Sequence, residues 1–129
     1  MAFLVAGDPA LAIRLRADGV HLPGYLLRRL AGGGAWRRPR PGFLVTAAVH
    51  DARAMAAAIR VGADLVLVSP VFPTTSHPGT RILGKRGLVR LAGMARIPVL
   101  ALGGIAMERA KTLRDCPNLA GFAGISGIA

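Results

Sequence analysis

The chain has few cysteines, aromatic residues and acidic residues, and it has no long apolar run. Its 129 residues include one cysteine, Cys116, so no disulfide can form within the chain, as is typical of a reducing compartment. No apolar segment approaches the roughly 18 residues of a membrane span, and the amino terminus does not have the basic and apolar regions of a signal peptide. We therefore expect a cytoplasmic protein with no membrane contact.

The shortage of acidic residues leaves a strong positive charge. Fifteen arginines and two lysines stand against six acidic residues, which gives a net charge of +11. Five of the arginines lie close together in the sequence: Arg28, Arg29, Arg37, Arg38 and Arg40. Such a tract attracts phosphate backbones, but proteins that bind single strands interleave aromatic residues for base stacking, and only Tyr25 and Trp36 lie nearby. We therefore predict a solvated surface and do not expect nucleic acid as a partner.

The order of apolar segments predicts an α/β fold. Apolar residues make up 53% of the chain, the composition of a globular protein with a core. Short apolar segments alternate with longer segments of helical period, which predicts parallel βαβ units whose sheet is buried on both faces. The predicted strands lie near Phe3–Val5, Gly19–Leu22, Phe43–Ala47, Leu65–Ser69, Val99–Leu102 and Gly121–Ile125. The predicted helices are Pro9–Arg16, Gly24–Ala31, Asp51–Val61, Lys85–Ala95 and Met107–Arg114.

One stretch of this pattern is repeated and another is irregular. Residues 12–20 and 58–66 read A-I-R-L-R-A-D-G-V and A-I-R-V-G-A-D-L-V, and each is predicted to be a helix end that leads into a strand. The segment 32–42 is rich in glycine, proline and arginine, so we predict a mobile surface loop there.

Three predicted loops carry groups that can hold a phosphate. Residues 69–79 read S-P-V-F-P-T-T-S-H-P-G after the fourth strand, and residues 101–105 read A-L-G-G-I at the end of the fifth. Residues 124–127, G-I-S-G, follow the last strand. Glycines let the backbone approach a ligand closely, and the hydroxyl groups add donors.

The first two of these loops resemble the thiamine-phosphate synthase/TenI family in order, spacing and residue type. In that family the loops read roughly G-P-V-F-x-T-x-T-K-P-G and A-I-G-G-I. The resemblance covers nearly the whole chain and runs from the family's third strand to its eighth. It implies one domain over residues 1–129, an incomplete TIM-type (β/α) barrel with about six parallel strands that lacks the first two βα units. A complete barrel needs about 200 residues, so two sheet edges should be exposed.

The resemblance also implies that these loops bind the phosphate of a thiazole substrate. Loops after the last two strands form a recurring phosphate site in TIM barrels. The matching phosphate-binding positions are Gly103, Gly104, Ser126 and Gly127, and Thr74 and Ser76 keep the hydroxyls of the family's substrate loop. Alternatively, the glycines only make tight turns.

Two histidines are the candidate catalytic residues. His50 follows a predicted strand and corresponds to the His of a family S-x-H segment, which is implicated in proton transfer in the TenI-type thiazole tautomerases; the family Ser is Ala48 here. His77 stands where the family has a lysine that faces the leaving pyrophosphate, and histidine, with an ordinary pKa of about 6.5, is only partly charged at neutral pH. Either residue could instead be structural or exposed. His21, at a strand end, could be packed or catalytic.

Magnesium is expected from the family, but its ligands are not matched. The family's N-D-R segment falls on Ala6, Gly7 and Asp8, and its G-Q-E-D segment falls on residues 23–26, P-G-Y-L. Magnesium prefers carboxylate oxygens, and only Asp8, one residue out of register, offers one. Asp8 can equally cap a helix, so we predict no metal ligand and no certain cofactor.

The resemblance implies a role in thiamine biosynthesis, through one of two reactions. The first is a transferase reaction that couples a pyrimidine to the thiazole phosphate, and the second is an isomerase reaction that tautomerises the thiazole phosphate. The residues favour the second, because the magnesium ligands and the basic segment of the second strand are not matched. A non-catalytic phosphate-binding or regulatory remnant is the alternative. The expected partner is a thiazole phosphate or a related small phosphate, and a homo-oligomer is a further possibility.

Overall fold

Strands and helices alternate along the chain as predicted. The computed structural model describes residues 1–34, 36–74, 79, 81–94 and 96–124. The strands are β1 Leu4–Ala6, β2 Gly19–Leu22, β3 Leu44–Val49, β4 Leu65–Val68, β5 Val99–Leu102 and β6 Leu119–Ala123. The helices are α1 Pro9–Arg14, α2 Gly24–Gly33, α3 Ala52–Val61, α4 Gly84–Met94 and α5 Met107–Lys111.

The six strands form one parallel sheet in the order β1 to β6. Within the described residues β1 pairs only with β2 and β6 only with β5, so the sheet is not closed. The predicted α/β fold, an incomplete TIM-type barrel of six parallel strands, is confirmed. The carboxyl ends of parallel strands meet at one edge of the sheet, which we call the rim. No helix in the described ranges is long and apolar enough to cross a membrane.

The core lies between the helices and one face of the sheet. Alternate strand residues are fully buried there, including Val45, Val66 and Val99, and they belong to one core cluster with Leu26, Met55 and Leu88 from the helices. The residues between them, Leu65, Leu67, Leu100 and Leu102, are only partly buried. The prediction that both faces are buried was therefore wrong, because the second face is the one that further strands enclose in a closed barrel.

The internal repeat has a structural basis in two aspartates. The amide of Asp18 donates to the Phe3 carbonyl, and its carboxylate accepts from the Phe3 amide at 2.7 Å. Asp64 makes the same reciprocal pair with Val45, at 2.7 and 2.8 Å. Each aspartate thus joins the start of one strand to the start of the neighbouring strand.

The arginine-rich segment is anchored to the amino end of the sheet. Trp36 Nε1 donates to the Val61 carbonyl at 3.1 Å, and Arg38 pairs with Asp64 at 2.7 Å and donates to the carbonyls of Gly62 and Phe43. Arg40 donates to the Ala17 carbonyl at 2.9 Å and lies over the Phe43 ring. The predicted surface loop is therefore present at residues 36–42, but it is anchored by long-range hydrogen bonds at positions 36, 38 and 40. The loop prediction was wrong for Gly32 and Gly33, which belong to α2. Arg28, Arg29 and Arg37 are exposed, as predicted.

We expect Arg16→Gly to stabilise the protein by about 1 kcal/mol, because Arg16 has a φ of 53° and left-handed backbone is costly for any residue with a Cβ. The equivalent position in the repeat is Gly62, with a φ of 74°. Urea unfolding measures the change. Arg14→Gly, in the last turn of α1, is the control and should destabilise. Destabilisation of both variants to the same degree would contradict the expectation.

We expect Asp64→Asn to destabilise the protein by about 1 kcal/mol at neutral pH, a modest value because the ion pair is partly exposed. Burial raises the pKa of Asp64, but the hydrogen bonds from Arg38 and from the Val45 amide outweigh it and hold the pKa below its ordinary value. The stabilisation is therefore present above about pH 4 and is lost as the pH falls through the lower, folded pKa.

Unfolding of the wild type and of Asp64→Asn between pH 2 and pH 7 checks this expectation. The stability difference should shrink toward low pH. Asp115→Asn is the control, since the Asp115 side chain is 77% exposed in its pair with Lys85 and its replacement should have little effect. A difference between wild type and Asp64→Asn that does not vary with pH would rule out the carboxylate as its source.

Candidate functional site

His50 lies at the rim, held by the next strand. It follows β3 directly, and Asp51 caps α3 by accepting from the Ala54 amide at 2.8 Å. His50 Nδ1 lies 2.8 Å from the Ser69 carbonyl oxygen and 3.3 Å from Ser69 Oγ. A carbonyl only accepts, so Nδ1 carries the proton and Nε2 is the basic nitrogen of the neutral ring. The structure thus brings the predicted His50 to the loop after β4.

That loop packs directly on the glycine pair after β5. The Val71 amide donates to the Leu102 carbonyl, and the Phe72 amide donates to the Gly103 carbonyl, both at 3.0 Å. Gly104 has a φ of 63°, and a Cβ there would lie 2.3 Å from the Pro73 carbonyl oxygen. The two loops are therefore in backbone contact at the rim, and glycine is required for that contact whether or not a ligand binds.

The remaining predicted site residues are only partly within the described ranges. Thr74 follows Pro73 and so continues the loop that contacts Gly104. Ser76, His77, Ser126 and Gly127 lie outside the described residues. The structure therefore brings His50, Ser69, Gly103 and Gly104 together through one loop, and the other assignments stay predictions.

A second histidine lies on the partly buried face of the sheet. His21 Nδ1 is 2.8 Å from Thr46 Oγ1, and the two residues are in register on β2 and β3. Burial lowers the pKa of His21 and so favours the neutral form of its ring. The sequence signal was the alternation Val20-His21-Leu22, which places His21 on the face opposite the core.

The metal positions do not fit magnesium. Asp8 Oδ1 accepts from the Leu11 amide at 2.9 Å and caps α1, and the Gly7 amide donates to the His21 carbonyl. Tyr25 is 63% exposed and offers a hydroxyl where a carboxylate was expected. Within the described ranges, no group of three or more His, Cys, Asp or Glu could hold a metal ion. The aligned positions thus supply one carboxylate, that of Asp8, where magnesium prefers several oxygen ligands.

Arg109 was not singled out from the sequence. Its Nη1 donates to the Gly104 carbonyl at 3.1 Å, and its guanidinium lies over the Phe72 ring, 5.1 Å from the centroid. It therefore contacts both loops of the rim. In the sequence Arg109 lies five residues after Gly104, across the start of α5. This spacing indicates a contact between them only once the fold is known.

Comparisons with known proteins agree with this arrangement. The family model described as thiamine monophosphate synthase matches residues 1–128. The chain is 34% identical over 119 residues to the putative thiamine-phosphate synthase 2 of Aquifex aeolicus, covering 92% of this chain and 60% of that protein. It is also 34% identical over 129 residues to the thiamine-phosphate synthase of Methanococcus vannielii, covering 98% of this chain and 56% of that protein.

A solved structure gives the same result at the level of the fold. The thiamine phosphate pyrophosphorylase from Pyrococcus furiosus superposes with a TM-score of 0.71 and 27% identity, over 96% of this chain and 56% of that one. The chain thus spans less than two thirds of the length of these relatives. Since the family model covers almost every residue, the chain belongs to the thiamine monophosphate synthase family.

Proposed function

We propose that this chain acts in thiamine biosynthesis, in the cytoplasm, by binding a thiazole phosphate at the rim and moving a proton on the thiazole ring through His50. One observation carries the proposal, the hydrogen bond from His50 Nδ1 to the Ser69 carbonyl. It orients an exposed imidazole at the rim, beside the loop that packs on Gly103 and Gly104.

The proposed proton transfer needs one group that accepts a proton and returns it. Nε2 of His50 takes the proton from one atom of the thiazole ring, and the imidazole becomes a cation. The Ser69 carbonyl oxygen, which accepts from Nδ1, stabilises that cation and prevents the ring from turning. Nε2 then delivers the proton to another atom of the same thiazole, so the histidine is regenerated and no co-reactant is required.

The phosphate is the proposed anchor for this reaction. Backbone amides of the Gly103–Gly104 loop, with the predicted Ser126 and Gly127, are suited to directed hydrogen bonds with an anion. The contact of this loop with residues 70–73 supports the proposal, because it ties the anchor to the strand end that holds His50. A bound phosphate would place the attached ring near the imidazole.

Synthesis of thiamine phosphate is less well supported by the described residues. That reaction releases pyrophosphate, whose developing charge requires a metal ion or fixed cations. The positions expected to bind magnesium do not fit it, and the lysine of the family loop is His77 here. Tautomerisation moves only protons and does not need that stabilisation.

We therefore expect no appreciable magnesium-dependent synthesis of thiamine phosphate by the purified chain. The assay supplies the pyrimidine pyrophosphate, the thiazole phosphate and magnesium, and follows thiamine phosphate directly. A complete family synthase, such as the Methanococcus vannielii relative, is the positive control. Turnover comparable with that control would overturn our preference for proton transfer.

We expect His50→Gln to lower the rate of proton exchange on the thiazole ring by about 100-fold or more, because a positioned general base contributes roughly 10²–10⁴-fold. Loss of ring protons in D₂O, followed by NMR on the thiazole phosphate, measures the rate. Arg60→Gln, an exposed change at the far end of α3, is the control.

Phosphate affinity should remain unchanged in His50→Gln, since the proposed anchor lies in other residues. Exchange at the wild-type rate in that variant would remove His50 from the mechanism. Wild-type protein that binds the thiazole phosphate without any exchange would favour the alternative, a non-catalytic or regulatory binding protein. The residues at the positions expected to bind magnesium, 6–8 and 23–26, do not match the family's carboxylates, and this is the observation in favour of that alternative.

A further inference from the structure

We propose that Arg109 is the cationic contact of the phosphate site, and that it sets a preference for anionic ligands at this rim. The inference rests on the proposed function, since it names a residue for the phosphate anchor proposed above. It starts from the position of Arg109, whose guanidinium is hydrogen-bonded to the carbonyl of Gly104 itself.

The guanidinium is held in place from two sides. The Gly104 carbonyl accepts from Nη1, and the Phe72 ring lies against the cation, an arrangement in which the face of the ring attracts the positive charge. A long arginine side chain is otherwise free to rotate, so these contacts reduce the entropy lost when it binds an anion. Arg109 is therefore preorganised.

Among the contacts of the described residues, the same guanidinium leaves most of its N–H donors unused. An arginine carries five N–H groups, and among the contacts within the described ranges Arg109 uses one of them, for Gly104. Of the two ion pairs between described residues, Arg38 with Asp64 and Lys85 with Asp115, neither involves Arg109. Its charge is thus not neutralised by a described carboxylate.

The charge of Arg109 is close enough to the Gly103–Gly104 loop to attract an anion bound there. An anion that accepts from those amides would lie within a few ångströms of the Gly104 carbonyl and hence well inside the screening length of about 8 Å at physiological salt. Lys85, which stands at the start of α4, is already paired with Asp115 at 3.1 Å. Arg109, by contrast, makes a hydrogen bond to the Gly103–Gly104 loop itself.

Two substitutions separate charge from structure. Arg109→Gln keeps an N–H donor for the Gly104 carbonyl but removes the charge, whereas Arg109→Lys keeps the charge. Isothermal titration with inorganic phosphate and with the thiazole phosphate should show a Kd about tenfold to 100-fold weaker for Arg109→Gln, the range expected for a hydrogen bond to a charged group. Arg109→Lys should recover most of the affinity.

Arg60→Gln is the matched control, since it removes the same charge from an exposed position at the other end of the sheet. It should leave Kd within about twofold, and raising the salt concentration should weaken wild-type binding more than that of Arg109→Gln. Equal affinity in wild type and Arg109→Gln, or equal loss in Arg109→Gln and Arg60→Gln, would overturn this inference alone. Absence of phosphate binding by the wild type would overturn the proposed anchor as well.

Discussion

The parallel order of the strands is the constraint on which the rest of the structure depends. Six strands that follow chain order, joined by crossovers through helices, bring their carboxyl ends to one edge and their amino ends to the other. His50 and Ser69 meet because their strands, β3 and β4, are neighbours. The loop after β4 meets Gly103 and Gly104 for the same reason, since β4 pairs with β5.

The two edges of the sheet carry different kinds of contact. At the amino edge, Asp18 and Asp64 join the starts of neighbouring strands, and Arg38 and Arg40 fix the segment above them. At the carboxyl edge, glycines and an exposed histidine leave backbone and side-chain groups available at the rim. The proposed site thus lies at the edge opposite to these contacts.

The sequence predicted the elements better than the contacts between distant segments. The bounds of β2 and β5 agree with the prediction because these segments stand between Asp18 and Pro23 and between Pro98 and Gly103. β6 begins at Leu119, two residues before the predicted start at Gly121, because the turn at Asn118 already places the Asn118 carbonyl on the Val99 amide. Helix α5 ends early, at Lys111, where Thr112 Oγ1 donates to the Arg109 carbonyl.

The same limit applies to the candidate site. His50 could be placed at the rim from its position after a strand, but its contact with Ser69 joins residues 19 apart. The anchoring of Trp36 and Arg38 depends on partners 25 and 26 residues away, so local composition indicated a mobile loop instead. Arg109 could not be recognised because its significance comes from Gly104 and Phe72, which belong to two different loops.

The partly exposed second face of the sheet has a consequence for ligand selectivity. Leu65, Leu67, Leu100 and Leu102, with the His21–Thr46 pair, line a surface that is open on the side of β1 and of β6 in the described structure. If the proposed ligand binds at the rim of the described sheet, its ring would be enclosed on fewer sides than in a closed cavity, so shape would discriminate weakly among rings of similar size. Under the proposed function, selection would then depend on the charged end of the ligand, that is, on its anionic group.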